Sequence, residues 1–369
     1  MKVLVLGGQG NFGRRICRRL KQAAGIELLV GGRRRRETGE TASPGRWVAL
    51  DYGDAQFAQQ LRDLGPQLLI HCAGPFQGQD YRVALAAAEC GIHYIDLADG
   101  REFVEGFTDA VDGAARRTGV SAITGASTLP ALSSAVVDAL SHDMSAVRAI
   151  HVVIAPAQQA TRGAATLAGV FSYAGKPFNV LVDGKWRRFH GWQHLRRVSI
   201  RGLRDRWSAL CDVPDLGVFV QRYPGLRTMM FSAALELRVQ HAVLWLVAAL
   251  RRAGLPLPVE RWAMPMDRAA RLLDRFGSAL GGMRVDVKGE TADKRPMHRV
   301  WQIAADDNHG PEIPCMAALL LTLRLLRDGC LPAGATVCMG MLRLEDFLPE
   351  FERWGMRAGT ETLSAGGRG

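Results

Sequence analysis

The stretch Met1-Lys2-Val3-Leu4-Val5-Leu6-Gly7-Gly8-Gln9-Gly10-Asn11-Phe12-Gly13 decides how this chain is read. Val3 to Leu6 is an unbroken apolar run, as expected of a strand buried on both faces of a parallel sheet. Gly8-Gln9-Gly10-Asn11-Phe12-Gly13 follows as G-x-G-x-x-G. Phe12, Ile16, Leu20 and Ala24 then recur every four residues on one face, leaving Arg14, Arg15, Arg18 and Arg19 for solvent, so a helix is predicted. A strand, a glycine turn and a helix in that order give the short pattern its meaning as a dinucleotide-binding loop. The first glycine is needed for the tight turn, the second for close approach of backbone to a pyrophosphate, and the third for helix–strand packing. Helix N-terminal amides then meet phosphate charge. Gly8, Gln9, Gly10, Asn11, Phe12 and Gly13 are therefore the expected phosphate-binding residues.

The alternation of strand and helix continues to about residue 140. Strands are predicted at residues 2–6, 27–31, 46–50, 67–72, 93–97 and 120–124, which makes residues 1–140 an α/β unit, a Rossmann doubly wound parallel sheet. The second strand ends in Gly31-Gly32-Arg33-Arg34-Arg35-Arg36. Where an acid would hold the ribose hydroxyls of NAD, guanidiniums stand instead, and these bind a 2′-phosphate in bidentate fashion. The expected cofactor is NADP(H), held by Arg33 and Arg34, with Arg35 and Arg36 assigned to a solvated loop. Asp51 is placed either to meet the adenine amino group or to cap a helix. Gly74-Pro75 either lets backbone lie against the cofactor or simply makes a turn.

Past residue 140 the runs lengthen, as at 149–154 and 178–182, between loops rich in Trp, Arg and Gly. This predicts an inserted α+β lobe over 141–309, serving substrate binding and dimerisation. It includes a helical hairpin at 233–252 and 267–280 and a strand pair at 283–289 and 298–304. Residues 310–358, with an apolar helix at 314–327, are expected to return to the first lobe, and 359–369 to be a disordered tail. His190, Trp192 and His194 alternate as on one strand face; lacking carboxylate or cysteine company, they read as sheet rather than as a metal site. The stretch 229–252 carries an apolar stripe with Glu236, Arg238 and His241 off it, the pattern of a core or dimer helix.

Composition narrows the classes. The chain of 369 residues is 48% apolar, enough for a sizeable core. The best candidate for a membrane span, 242–250, runs into Arg251 and Arg252, and the glycines after the first strand argue against a signal peptide, so a cytoplasmic location is expected. Seven cysteines, at 17, 72, 90, 211, 315, 330 and 338, are scattered without a C-x-x-C pair, which predicts reduced thiols and no metal. The net charge of +11 comes with 41 arginines and only six lysines, and aromatics are not interleaved with them, so nucleic acid is not an expected partner.

The string Leu68-Leu69-Ile70-His71-Cys72-Ala73-Gly74-Pro75-Phe76, followed after an alanine-rich helix by Cys90-Gly91-Ile92-His93-Tyr94-Ile95-Asp96-Leu97, resembles the saccharopine dehydrogenase (reductase) family. Members carry a strand ending in Cys-x-Gly-Pro-Phe/Tyr and a later Gly-x-His/Asp-Tyr-x-Asp strand. The resemblance covers residues 1 to about 135 and returns at Gly310-Pro311-Glu312-Ile313-Pro314. It implies a Rossmann lobe, an inserted substrate lobe and a C-terminal return, with NADP(H)-dependent hydride transfer to or from an imine, carbonyl or enoyl group. Saccharopine reductases follow the sixth strand with Gly-x-Asp-Pro-Gly, where this chain reads Gly125-Ala126-Ser127-Thr128-Leu129-Pro130. The missing acid argues against an amino-dicarboxylate substrate. It puts the chain nearer to the family's enoyl reductases of lipid-linked intermediates and its members of unknown reaction.

In this fold the substrate sits beyond the carboxyl ends of the strands. His93, Tyr94, Asp96 and Asp99 around the fifth strand, and Ser127 and Thr128 after the sixth, are the candidates there. Asp96 and Asp99 are assigned to orienting substrate or passing a proton, and Tyr94 to donating one. The competing roles are a buried hydrogen bond, a cap by Asp99 on the helix after Gly100, and a cap by Ser127 or Thr128 near Pro130. Two rivals stand beside the oxidoreductase: a non-catalytic NADP(H)-binding sensor or scaffold, and a peripheral protein held near lipid by its basic surface. A small-molecule substrate, lipid-linked in the enoyl-reductase case, and further copies of the chain in a homo-oligomer are the expected partners.

Overall fold

Val3, Leu4, Val5 and Leu6 are buried because β1 (Lys2–Leu6) lies at the centre of a sheet covered on both faces. The structure, a computed structural model, describes residues 1–34 and 44–363. After β1 come α1 (Asn11–Leu20), β2 (Glu27–Gly32), β3 (Arg46–Ala49), α2 (Phe57–Leu64), β4 (Leu68–His71), α3 (Arg82–Glu89), β5 (His93–Asp96), α4 (Arg101–Thr118) and β6 (Ser121–Thr124). The chain continues through α5 (Ser133–Ser141), β7 (Ala146–Ala155), α6 (Ala164–Ser172), β8 (Pro177–Val182), β9 (Lys185–His190), β10 (Gln193–Val198), β11 (Arg206–Leu210) and α7 (Asp215–Arg222). It ends with β12 (Thr228–Ala233), α8 (Arg238–Arg252), α9 (Val259–Arg271), β13 (Gly281–Glu290), β14 (Pro296–Ala305), α10 (Ile313–Asp328), β15 (Gly334–Val337), α11 (Leu344–Arg353) and β16 (Arg357–Leu363). Two units result, one of Met1–Leu132 with Glu312–Leu342, the other of Ser133–Pro311 with Arg343–Gly369.

The first unit is a Rossmann-like α/β layer structure around a parallel sheet in the order β3-β2-β1-β4-β5-β6-β15. The six strands read from the sequence are present, each within a residue or two of its expected limits. The seventh, β15, arrives from the C-terminal segment and pairs residue by residue with β6, from Gly334 opposite Ser121 to Val337 opposite Thr124. Its first amides are tied down by Asp112 of α4, whose Oδ1 accepts from the Ala335 N–H at 2.8 Å. Nothing in a four-residue stretch reveals such a partner. α10 is buried along most of its length, through Ile313, Met316, Ala317, Leu319, Leu321 and Leu325, and packs on α1. Glu312 at its start pairs with Arg15 of α1, and the Cys315 thiol donates to the Phe12 carbonyl at 3.6 Å. α1 itself stops at Leu20, so Ala24 lies past it, exposed, in the turn that Gly25 makes at φ +82°.

The second unit is built on a mixed sheet in the order β10-β11-β12-β7-β13-β14-β16, with β8 pairing β12 and β9. β7, β13 and β14 are ten-residue strands, and Val152, Val153, Val285, Val287, Val300 and Ile303 form the buried rows between them. Several sequence expectations are corrected here. Residues 228–233 are strand β12 rather than the start of a helix, because β-branched and bulky apolar side chains there fill a central position parallel to β7. The second helix of the expected hairpin runs Val259–Arg271, not 267–280; it accommodates Pro265, which reads in sequence as a boundary. His190, Trp192 and His194 do not share a strand face. His190 ends β9, Trp192 lies in the turn at φ +61° with its ring buried, and His194 lies in β10. Residues 310–358 do not return as one piece, since α11 and the residues after it belong to the second unit. The tail expected from Gly359 is instead strand β16 through Leu363, paired with β14 from Ala304–Arg357 to His298–Leu363. Its exposed polar residues resemble a tail, and only the unpaired edge of β14 makes them a strand.

Asp215, in the first turn of α7, is fully buried with neither carboxylate oxygen in a well-formed hydrogen bond. Burial pushes its carboxyl up to about 7, against a lesser opposing pull from the Ser133 hydroxyl. The folded chain therefore holds a proton that the unfolded chain releases near 3.8, so stability is fullest below that pH and falls as pH rises to about 7. Asp215→Asn should stabilise the protein at pH 8, on the order of a few kcal/mol, and by nothing at pH 4. Urea unfolding at the two pH values checks this, and an equal shift at both would count against it.

Candidate cofactor and active site

The chain leaves β1 toward β2 on one side and reaches β4 on the other, so the loops after β1 and β4 separate at a topological switch point. Gly7, the residue before the six-residue motif, takes the left-handed turn at φ +77°, a role expected of Gly8. The correction has a steric cause. A Cβ on Gly7 would stand 2.8 Å from the Ala73 backbone nitrogen in the loop after β4. Gly8 is instead pressed against Val30 Cγ1 and the Val5 carbonyl, each 2.9 Å from where its Cβ would be. Gly13 allows the closest approach, its Cβ position being 2.4 Å from the Gly7 carbonyl oxygen. Gly10 is the N-cap of α1 and meets only that carbonyl, at 3.1 Å. Gly10, as the N-cap, brings no side chain to the start of α1, and no acid lies in its first turn, so no charge of the helix itself offsets the positive end of its dipole there.

Arg33 and Arg34 follow β2 directly and are exposed. Arg35 and Arg36 lie outside the described residues. Asp51 follows β3 but does not cap α2, which begins at Phe57; its Oδ1 accepts from the Gly53 N–H at 3.0 Å in a local turn. Past β4, Gly74-Pro75 is held by Gln79, whose side-chain amide donates to the Ala73 and Pro75 carbonyls at 2.9 and 2.7 Å.

Beneath these loops lies a polar network that the sequence shows only in fragments. His71 at the end of β4 meets the Tyr94 hydroxyl through Nδ1 at 3.0 Å, and the Asp96 carboxyl lies near enough to that hydroxyl to raise its pKa. Asp96 Oδ1 accepts from the Ala98 N–H, the Thr124 hydroxyl and the Gly125 N–H at 2.9, 2.9 and 2.8 Å. One carboxylate thus ties the loop after β5 to the loop after β6. Tyr94 stacks on Phe107, and His71 meets Tyr52 and Phe76 edge-on, which seals the network from water. Burial pushes Asp96 up to about 6 despite the three donors on its Oδ1, drives His71 down to about 3, and raises Tyr94 well above the usual phenol range. At pH 7 His71 is a neutral imidazole and Tyr94 an intact phenol. His71 Nε2 has no hydrogen-bond partner among the described residues.

Tyr94 and Asp96 are fully buried and do not reach the surface where a substrate would lie. Asp99 does keep partial exposure, directly after the buried run that ends at Ala98. It accepts from the Gln77 side chain at 3.3 Å, and burial raises its carboxyl above the ordinary range. Gly100 brings this turn against the loop after β4, since its Cβ position is 3.1 Å from the Phe76 carbonyl group. Asp99 is not a side-chain cap for α4, whose N-cap is Gly100. His93 sits at the amino end of β5, away from the others, where Nδ1 accepts from the Ser121 N–H at 3.0 Å. Ser127 and Thr128 are nearly buried, and the Ser127 carbonyl accepts from the Leu132 N–H at 3.3 Å. The residues missed from sequence are His71, Gln77 and Thr124. The signal for His71 was a histidine closing an otherwise apolar strand at the switch point.

This arrangement is that of a Rossmann-like dehydrogenase fold. A model of the NAD dependent epimerase/dehydratase family matches residues 3–90, the span from β1 through the glycine loop to α3. Comparison by sequence with curated proteins returns no match. Among solved structures, apo saccharopine dehydrogenase (L-Glu forming) from Saccharomyces cerevisiae is similar at TM-score 0.68 and 11% identity, over 98% of this chain and 100% of that one. An engineered D-amino acid dehydrogenase bound to NADP+ is similar at TM-score 0.50 and 13% identity, over 95% of this chain and 98% of that one. DAP dehydrogenase of C. glutamicum, in complex with DAP, matches at TM-score 0.50 and 14% identity over the same shares. The saccharopine dehydrogenase resemblance carried by the motifs is therefore present in the fold.

The glycines differ in what they tolerate. Gly13→Ala must displace backbone and should cost about 1–3 kcal/mol, while Gly10→Ala, which crowds a single carbonyl, should cost well under half as much. Chemical denaturation of the two variants checks this; equal losses would mean that the loop yields as a whole.

Proposed function

We propose that the protein is an NADP(H)-dependent oxidoreductase that transfers hydride to or from an imine, carbonyl or activated double bond. The observation that carries the proposal is the glycine cradle at the switch point, with beside it an α1 first turn that contains no acid, and with Arg33 and Arg34, rather than an acid, after β2. Small residues where a Cβ would strike backbone, at the positive end of a helix dipole, fit a pyrophosphate. The two guanidiniums fit a 2′-phosphate. Gly8, Gln9, Gly10, Asn11, Phe12 and Gly13 would hold the pyrophosphate, and the Gly74-Pro75 loop would lie along the cofactor. The nicotinamide supplies the hydride chemistry when bound.

The protein's own contribution is orientation and proton handling. Asp99, partly exposed and with a raised carboxyl, is proposed to orient the substrate or hold the proton that accompanies hydride. Tyr94 and Asp96 are proposed as positioning residues that hold the Ala98–Asp99 and Gly125 loops in register. Asp51, engaged with Gly53, is proposed to bound the adenine side through its turn. The burial of Tyr94 and Asp96 also favours a second reading, a sensor that binds NADP(H) without turnover.

Fluorescence titration with NADPH and NADH tests the cofactor proposal. NADPH should bind more tightly, and the Arg33→Ala, Arg34→Ala double variant should lose that preference by at least about tenfold, or about 1.4 kcal/mol. Failure of both nucleotides to bind at tens of micromolar, on the order of a −6 kcal/mol interaction, would remove the proposal and the sensor together. Oxidation of bound NADPH by imino acids, aldehydes or enoyl thioesters, reduced by Asp99→Asn, separates enzyme from sensor.

A further inference from the structure

α8 contradicts the usual design of a surface helix. Its inner face, His241, Leu244 and Ala248, is buried, and α8 packs on β10 and β11, with the His241 ring set edge-on to Trp192 and Trp207. The opposite face belongs to solvent, where polar side chains are expected. Val239, Val243, Leu246 and Leu250 stand there instead, at i, i+4, i+7 and i+11, each between 38% and 57% exposed. From Val239 to Leu250 there is no Asp, Glu, Lys or Arg. The Gln240 side-chain amide donates to the Ala270 carbonyl at 3.3 Å, which ties the end of α9 to the first turn of α8. Just beyond that end, Leu272 and Phe276 are 76% and 62% exposed.

The stretch of chain that carries this apolar surface is strongly basic. Residues 176–275 contain 18 Lys and Arg against 8 Asp and Glu, a net +10 of the chain's +11. Two of these arginines lie on aromatic rings at the edges of the surface. Arg238 sits over Trp207, 5.9 Å from the ring centre, and Arg275 over Phe276 at 4.7 Å. An apolar stripe bordered by arginines carried on apolar stems matches an interface with hydrocarbon beneath and negative headgroups at its rim. A second copy of the chain fits less well. A two-fold contact lays the same patch against itself, and here it would bring one arginine-rich border onto another.

We propose that the outward face of α8, with the Leu272–Phe276 turn, docks on the surface of a membrane containing anionic lipid. The helix lies in the interfacial plane, since no helix among the described residues is long and apolar enough to cross. Val243 and Leu246 enter the acyl boundary, and the bordering arginines hold phosphate or carboxylate headgroups. This membrane contact is independent of the cofactor site and of the reaction served there.

Co-sedimentation of the full chain with phosphatidylcholine vesicles, with and without added phosphatidylserine, tests it. Binding to the phosphatidylserine vesicles should exceed binding to phosphatidylcholine alone by at least about tenfold and weaken as NaCl is raised. Val243→Glu with Leu246→Glu should reduce binding by at least about tenfold with the thermal midpoint unchanged, because both side chains are already in water. Arg275→Glu should reduce it several-fold without touching the stripe. Equal binding to both vesicle types, or none to either, would overturn the proposal. So would a dimer in sedimentation velocity that the Val243, Leu246 variant dissolves, because a second copy would then be the cover.

Discussion

Where β1 ends, backbone lies directly on backbone. The Gly7 Cα is wedged against the Ala73 amide, and the Gly13 Cα against the Gly7 carbonyl, so the turn after β1, the loop after β4 and the first turn of α1 occupy one another's space. Side chains at Gly7, Gly8 or Gly13 would push these three segments apart, and with them the spacing of β1, β2 and β4. The same contact sets the start of α1 at the place where the sheet changes direction. The close packing of these three segments is thus the result of one constraint, the absence of Cβ atoms at three positions.

The next layer is polar. Asp96 is fully buried, which disfavours its charge, and three donors on its Oδ1 offset part of that cost, two of them backbone amides from the loops after β5 and β6. A carboxylate in that position works as a fastener. Asp99, on the loop so fastened, keeps access to solvent and a carboxyl biased toward its protonated form. The two carboxyls thus differ in access, Asp96 being sealed in the network and Asp99 partly exposed.

The second unit obeys a different logic. Its long strands satisfy one another, and its core is apolar and ordinary. What departs from the ordinary is at the surface, where α8 presents valines and leucines to water within the most basic third of the chain. Composition hid this. A net charge of +11 spread evenly over an arginine-rich protein would mean little, but concentrated beside an uncovered apolar face it selects for an anionic, hydrocarbon-backed partner.

Much of the first unit was legible in the sequence, because its strands are short runs of residues buried on both sides and its turns depend on glycines in fixed positions. The apolar run of β1, the motif glycines and the Arg33-Arg34 pair can each be interpreted from neighbours within a dozen residues. Position within the turn was another matter. Gly7 rather than Gly8 takes the left-handed conformation because of Ala73, more than sixty residues away. Likewise β15 and β16 are strands only because β6 and β14 offer unpaired edges, and His71 joins Tyr94 and Asp96 only because β4 and β5 are neighbours. Local preference and periodicity determined which segments would be strand, turn or helix. Long-range pairing and burial alone decided which polar groups would meet, which would be sealed from water, and which apolar face of α8 would be left uncovered, since those outcomes depend on what lies opposite a residue in space rather than beside it in the chain.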